Sequence, residues 1–106
     1  MKVAIIGSRS ISVEINLDFL PSVIVSGGAI GIDTQARIYA LKNNIQLIEF
    51  LPDYKKFGRS APLIRNRQII DSCDVLIAYW DGVSKGTKFT IDAAKKLGKN
   101  VTIIYC

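Results

Sequence analysis

The chain has 106 residues, 49% hydrophobic and 22% charged, a balance that marks a globular protein and excludes a disordered one. One domain spanning residues 1–106 is expected at this length, able to bury a core with little to spare. Histidine is absent, which removes Ser-His-Asp and Cys-His catalysis and the usual zinc sites, and the net charge of +5 favours an anionic partner.

The N-terminal residues Met1 to Gly7 are too short in their apolar part for a secretory signal and read as a first strand, Lys2 to Ile6. Gly7-Ser8-Arg9-Ser10 follows as a turn of glycine, hydroxyl and cation. A crossover to a parallel neighbour usually needs a helix, and between Ile11 and Ser22 only a short helical turn over Glu14 to Leu20, ended by Pro21, fits. Val23 to Ser26 reads as the second strand. Gly27, Gly28 and Gly31 come next, and Asp33 then opens a segment with apolar residues at Ala36, Tyr39 and Ala40, at helical spacing. That helix runs from Ile32 to about Asn43, where Asn43-Asn44 is a stop.

Gln46 to Phe50 is a third strand, and Pro52 to Ala61 reads as a basic loop containing Tyr54, Phe57 and Gly58. Pro62 suits the first turn of a helix in which Leu63, Ile64, Ile69 and Ile70 are apolar. Arg65 and Arg67 lie about 200° apart on that helix and do not face one ligand together. Five of the fourteen basic residues fall between Lys55 and Arg67, a stretch without an acid. Val75 to Tyr79 is a fourth strand, followed by a third glycine- and hydroxyl-rich turn, Trp80 to Lys88. A helix over about Thr87 to Leu97, capped by Gly98, leads to a fifth strand, Val101 to Tyr105. No apolar run approaches the roughly 20 residues that cross a bilayer. Cys73 and Cys106 are too few for a disulfide framework and read as free thiols, which points to the cytoplasm.

Alternating strands and helices imply an α/β domain with a parallel sheet of about five strands. Ligands of such sheets bind beyond the carboxyl ends of the strands, and the turns after strands one, two and four share that edge. Glycine turns that open helices expose backbone N–H groups and the positive end of a helix dipole, which suits phosphate. Gly7, Ser8, Ser26, Gly27, Gly28, Gly31, Gly86 and Thr87 form the candidate cradle; for Gly31, simple turn formation serves equally well. Arg9 follows the first strand and is placed to pair with phosphate, with Lys85 and Lys88 beside the third turn in a similar position. Asp33 and Asp81 are suited to accept from ribose hydroxyls, although Asp33 fits a helix cap as well. Trp80 either stacks on a base or packs in the core. Tyr54 and Phe57 either stack bases or seal their loop.

Gly7-Ser8-Arg9, Ser26 to Asp33, Ile64-Arg65-Asn66-Arg67, Trp80-Asp81-Gly82 and Ser84-Lys85-Gly86-Thr87-Lys88 together resemble the small SLOG-type proteins, the YspA and YpsA-related group, over nearly the whole chain. The resemblance implies a Rossmann-like three-layer fold, a nucleotide-type ligand, Arg65 or Arg67 reaching that ligand, and a homodimer or higher homo-oligomer. The superfamily also contains phosphoribohydrolases, whose signature is similar to Pro-Gly-Gly-x-Gly-Thr-x-x-Glu. Anchored on Gly86-Thr87, the glutamate position falls on Thr90, which cannot act as a carboxylate. The segment Val25 to Ala36 also resembles the DNA-processing protein A family of single-stranded DNA loaders, in that one motif.

The expectation is therefore a binder without a catalytic residue, metal or cofactor. It takes a nucleotide-derived small molecule of ADP-ribose type, cyclic or conjugated, which it sequesters or senses, as a phage-type sponge against bacterial immune signalling would. A nucleotide N-glycosidase using Asp81, Asp33 or Asp92 is one alternative. A single-strand nucleic-acid binder using Lys55 to Arg67 is the other.

Overall fold

Five short apolar runs pair in parallel, and the structure, a computed structural model, describes all of Met1 to Cys106. The strands are β1 (Lys2–Gly7), β2 (Val23–Ser26), β3 (Gln46–Glu49), β4 (Val75–Trp80) and β5 (Asn100–Tyr105), in the order β3-β2-β1-β4-β5. The order reverses between β1 and β4, which pair from Val3 opposite Val75 to Gly7 opposite Tyr79. That boundary is the switch point of an open α/β sheet, and it fixes where a crevice opens.

Alternation along the central strands sorts the core into two layers. Val3, Ile5, Ile24, Ile77 and Tyr79 face α1 (Ile32–Lys42), which contributes Ile32, Ala36, Tyr39 and Ala40. Ala4, Ile6, Val23, Val25, Leu76 and Ala78 face the opposite way. There they meet Ile69 and Ile70 of α3 (Ala61–Asp71) and Ile91 and Ala94 of α4 (Lys85–Lys96). Both faces of the sheet are covered, which is why its strands read as continuous apolar runs. The α/β, Rossmann-like architecture expected from the sequence is present.

Two local expectations are corrected. No helix forms over Glu14 to Leu20; the whole connection from Ser8 to Ser22 is irregular. Ile11 and Ile15 are nonetheless buried in the α1-facing core. Side-chain burial holds this segment where a helix was expected to. The stretch Pro52 to Ala61 is not simply a loop: it contains a one-turn helix, α2 (Tyr54–Phe57), and a 3₁₀ turn over Gly58–Ser60. The Asp53 carboxylate starts α2 by accepting from the Lys56 N–H at 3.1 Å. No residue of α2 or of the 3₁₀ turn is buried, so no apolar periodicity marked it in the sequence.

Helix ends follow their punctuation. Asn43 caps α1 and Asn44 takes a positive φ of 54°. Pro62 stands in the first turn of α3, and Gly98 follows α4 with φ +73°. No helix is long and apolar enough to cross a membrane. Cys73 is buried and Cys106 exposed, both as free thiols.

Candidate functional site

Beyond the carboxyl ends of β1 and β4 lies a cavity of about 400 Å³. The turn after β1 contributes Gly7, Ser8, Arg9 and Ser10; the turn after β2 contributes Ala29 and Asp33. Pro62, Arg65, Asn66 and Ile69 of α3 form one wall, and Ser84, Gly86, Thr87 and Thr90 at the start of α4 form another.

Ser8 sits at the floor. Its N–H donates to the Tyr79 carbonyl at 3.1 Å, tying the turn across the switch point. Its hydroxyl is buried and outside strict hydrogen-bond geometry with any protein group, but it lies near the Asp81 carboxylate and helps to hold that carboxyl down. The start of α4 lines the same cavity. Asp81 organises the preceding turn: its Oδ1 accepts from the N–H groups of Val83 and Ser84 at 2.9 and 2.7 Å, and its Oδ2 accepts from the Ser84 hydroxyl at 2.7 Å. The Ser84 hydroxyl and these two amides hold the Asp81 carboxyl down at about 2. With its hydroxyl given to Asp81, Ser84 makes no side-chain cap on α4. The first-turn N–H groups of Lys85, Gly86 and Thr87 take no acceptor in the protein. They form the positive end of a twelve-residue helix at the cavity wall.

Gly86 is a different glycine from the others of the site. A Cβ there would meet nothing within 4 Å, so no packing requirement explains it. On Gly7, by contrast, a Cβ would lie 2.5 Å from Ile32 Cγ1 and 2.8 Å from the Tyr79 carbonyl oxygen. Gly7 lets α1 close onto β1, and its glycine identity is a packing matter.

The turn after β2 is braced from within. Arg65 donates from Nη1 to the Gly27 carbonyl at 2.7 Å and from Nε to Asn66 Oδ1 at 2.8 Å. Asp33 Oδ2 accepts from the Ala29 N–H at 3.1 Å. Asp33 lies inside the first turn of α1, after the capping position Gly31, and ties down the loop rather than the helix. Burial pushes its carboxyl up, while the Ala29 N–H and the Arg65 charge pull the other way. The Ser26 hydroxyl is buried nearby and outside hydrogen-bond geometry with it. Gly31 has φ +75° and its Cβ would meet the Arg9 carbonyl oxygen at 2.5 Å, so turn formation accounts for it.

Of the residues singled out from the sequence, the structure thus gathers Gly7, Ser8, Arg9, Asp33, Arg65, Gly86 and Thr87 around one cavity. Ser26 and Gly27 lie behind its lining, and Gly28 lies outside it, where a Cβ would approach Leu51. Trp80 is also outside it: its indole N–H donates to the Ser84 carbonyl at 3.1 Å and its ring packs 5.7 Å from that of Tyr105. Asp81 is not among the lining residues; its carboxylate organises the turn before α4 and lies near the Ser8 hydroxyl of the lining. Lys85 is exposed beside the cavity, and Lys88 is paired with Asp92 at 2.8 Å on the outer face of α4. Arg67 lines a separate depression with Phe89 and Leu97. Ser10, Ser84 and Thr90 line the cavity without having been singled out as ligand-binding; Ser84 was missed because the helix was expected to start at about Thr87 and in fact starts at Lys85. No group of three or more Cys, Asp or Glu side chains is placed to hold a metal ion.

Sheet order and crevice define a Rossmann-like α/β fold with its pocket at the switch point. The X-ray structure of DNA processing protein A (DprA) from Streptococcus pneumoniae shares this fold, with a TM-score of 0.75 and 23% identity over 96% of this chain. The chain spans about half of that protein, 49% of its length. The likeness, expected in one motif only, therefore extends in fold over nearly all the residues. No family model matches the chain, and no curated protein matches it.

Proposed function

We propose that this chain binds a nucleotide-derived small molecule through its phosphates at the β1–β4 crevice. The observation that carries the reading is the set of free first-turn amides of α4 at the cavity wall, with the buried Ser8 hydroxyl lining the same cavity. Phosphate oxygens supply the acceptors that all these donors lack. Arg9, exposed at the rim and in no ion pair, adds a cation. A cavity of about 400 Å³ is of the size that small-molecule sites use, about 300–1,000 Å³. A diphosphate of ADP-ribose type suits two donor clusters, and holding such a molecule, as a small SLOG-type sequestering or sensing protein would, is the reading we adopt.

Hydrolysis is less well supported. Asp81 is committed to its turn and Asp92 to Lys88, so Asp33 is the one carboxylate at the cavity. Thr90, at the glutamate position of the phosphoribohydrolase signature, gives its hydroxyl to the Gly86 carbonyl at 3.0 Å. A second reading, single-strand nucleic-acid binding, is favoured by one observation. Tyr54, Lys55, Lys56 and Arg59 stand exposed together on α2 and the 3₁₀ turn, without an ion pair.

Mass spectrometry of small molecules released by heating the purified protein, followed by calorimetry with ADP-ribose, tests the proposal. A released nucleotide and saturable binding that Ser8→Ala weakens are expected. No released nucleotide, no binding of ADP-ribose and tight binding of oligo-dT would replace it with the second reading. Leu63, Phe89 and Leu97, exposed on α3 and α4, are the apolar surface that the proposed homodimer would cover, and light scattering after gel filtration reads its mass.

A further inference from the structure

The cavity that welcomes anions also contains one acid. Asp33 is 8% exposed, lines the cavity, and uses only Oδ2 within the protein. Its Oδ1 meets strict hydrogen-bond geometry with no protein donor, although the Ser26 hydroxyl and the Gly27 N–H lie close to the carboxyl. A carboxylate facing a phosphate would repel it, so Asp33 does not serve the anionic part of a ligand. What a lone carboxylate oxygen accepts is a hydroxyl or an N–H. The rest of the lining narrows the choice. It contains no aromatic side chain on which a base would stack. Its amide side chain, Asn66, has its oxygen occupied by Arg65 Nε. Base reading is therefore poorly provided for, and hydroxyl reading is well provided for.

We propose that Asp33 accepts hydrogen bonds from the vicinal hydroxyls of a ribose, so that the site takes ribonucleotides over their 2′-deoxy counterparts and is indifferent to the base. This rests on the phosphate-binding reading given above and assigns the sugar end of the same site. The discrimination arises because a 2′-deoxy sugar leaves Asp33 Oδ1 desolvated with one partner fewer. Hydrogen bonds to a charged acceptor correspond to roughly tenfold to a hundredfold in affinity.

The test is calorimetry of the whole protein with ADP, 2′-deoxy-ADP, CDP and 2′-deoxy-CDP. Wild type is expected to bind each ribose form at least about tenfold more tightly than its deoxy form, with ADP and CDP within a few-fold of each other. Asp33→Ala is expected to bring the ribose-to-deoxy ratio close to one, since no side-chain donor or acceptor remains there for the 2′-hydroxyl. Equal binding of ribose and deoxy forms by wild type would overturn this inference and leave the phosphate site standing. A large difference between ADP and CDP would overturn the base indifference. A preference for ribose that persists in folded Asp33→Ala, checked by thermal melting, would overturn the assignment to Asp33. Binding of none of the four would overturn the phosphate reading itself.

Discussion

Gly7 and Gly86 look alike in the sequence, each in a turn of glycine and hydroxyl, and their surroundings separate them. Gly7→Ala forces a Cβ against Ile32 and the Tyr79 carbonyl, and is expected to lower stability by about 1–3 kcal/mol in denaturant unfolding. Gly86→Ala meets open space in a helix and is expected to raise stability by about 0.5–1 kcal/mol while weakening ligand binding, because the methyl group occupies the approach to the amides. A Gly86→Ala protein that binds ADP-ribose as wild type does would take Gly86 out of the site. Asp33 carries a pH signature. Its folded pKa lies above the ordinary 3.8, so its charged form costs stability at neutral pH and that cost vanishes as pH falls below the unfolded value. Asp33→Asn is accordingly expected to melt above wild type at about pH 7, with the gap closing toward about pH 4. Melting below wild type at neutral pH would mean that the Arg65 charge and the Ala29 N–H outweigh the burial. Which acids border the cavity was not legible from residue types. Asp33 and Asp81 both stand next to glycine turns, yet one lines the cavity and the other is engaged by three local hydrogen bonds.

At the scale of elements, strands and long helices were legible because their apolar periods are long enough to be read. All five strands and the helices α1 and α4 stand within a residue or two of their expected bounds, and α3 starts where Pro62 was expected to start it. Ser8 to Ser22 was misread because a crossover usually requires a helix, whereas here Ile11 and Ile15 anchor an irregular chain. Ile15, at 2% exposure, should therefore matter as much as a residue of regular structure. Ile15→Ala is expected to cost about 2–4 kcal/mol in urea unfolding. A loss below about 0.5 kcal/mol, the ordinary surface value, would show that the connection does not contribute to the core. The short α2 escaped notice for the opposite reason: one turn, no buried residue, and a start signal that lies in the Asp53 side chain alone.

At the scale of the molecule, three glycine turns were expected to form one cradle, and the fold divides that work. The turns after β1 and β4, adjacent because the strand order reverses there, supply the unpaired donors. The turn after β2 is closed by Arg65 and Asp33 and supplies shape. Strand order, which decides this division, is not written in any single segment. The two functional readings also part at this scale. A small diphosphate in the crevice displaces few counterions, so its affinity is expected to fall less than about tenfold between 50 and 200 mM salt; a single strand contacting the basic residues from Lys55 to Arg67 would lose up to about a hundredfold.

The most direct measurement is a titration of isotope-labelled protein with ADP-ribose, followed by backbone amide resonances. Large shifts at Ser8, Arg9 and Lys85 to Thr87, with Lys55 to Arg59 unmoved, are the predicted result. Shifts confined to Lys55 to Arg59, or none at saturating ligand, would contradict a phosphate site between β1 and β4.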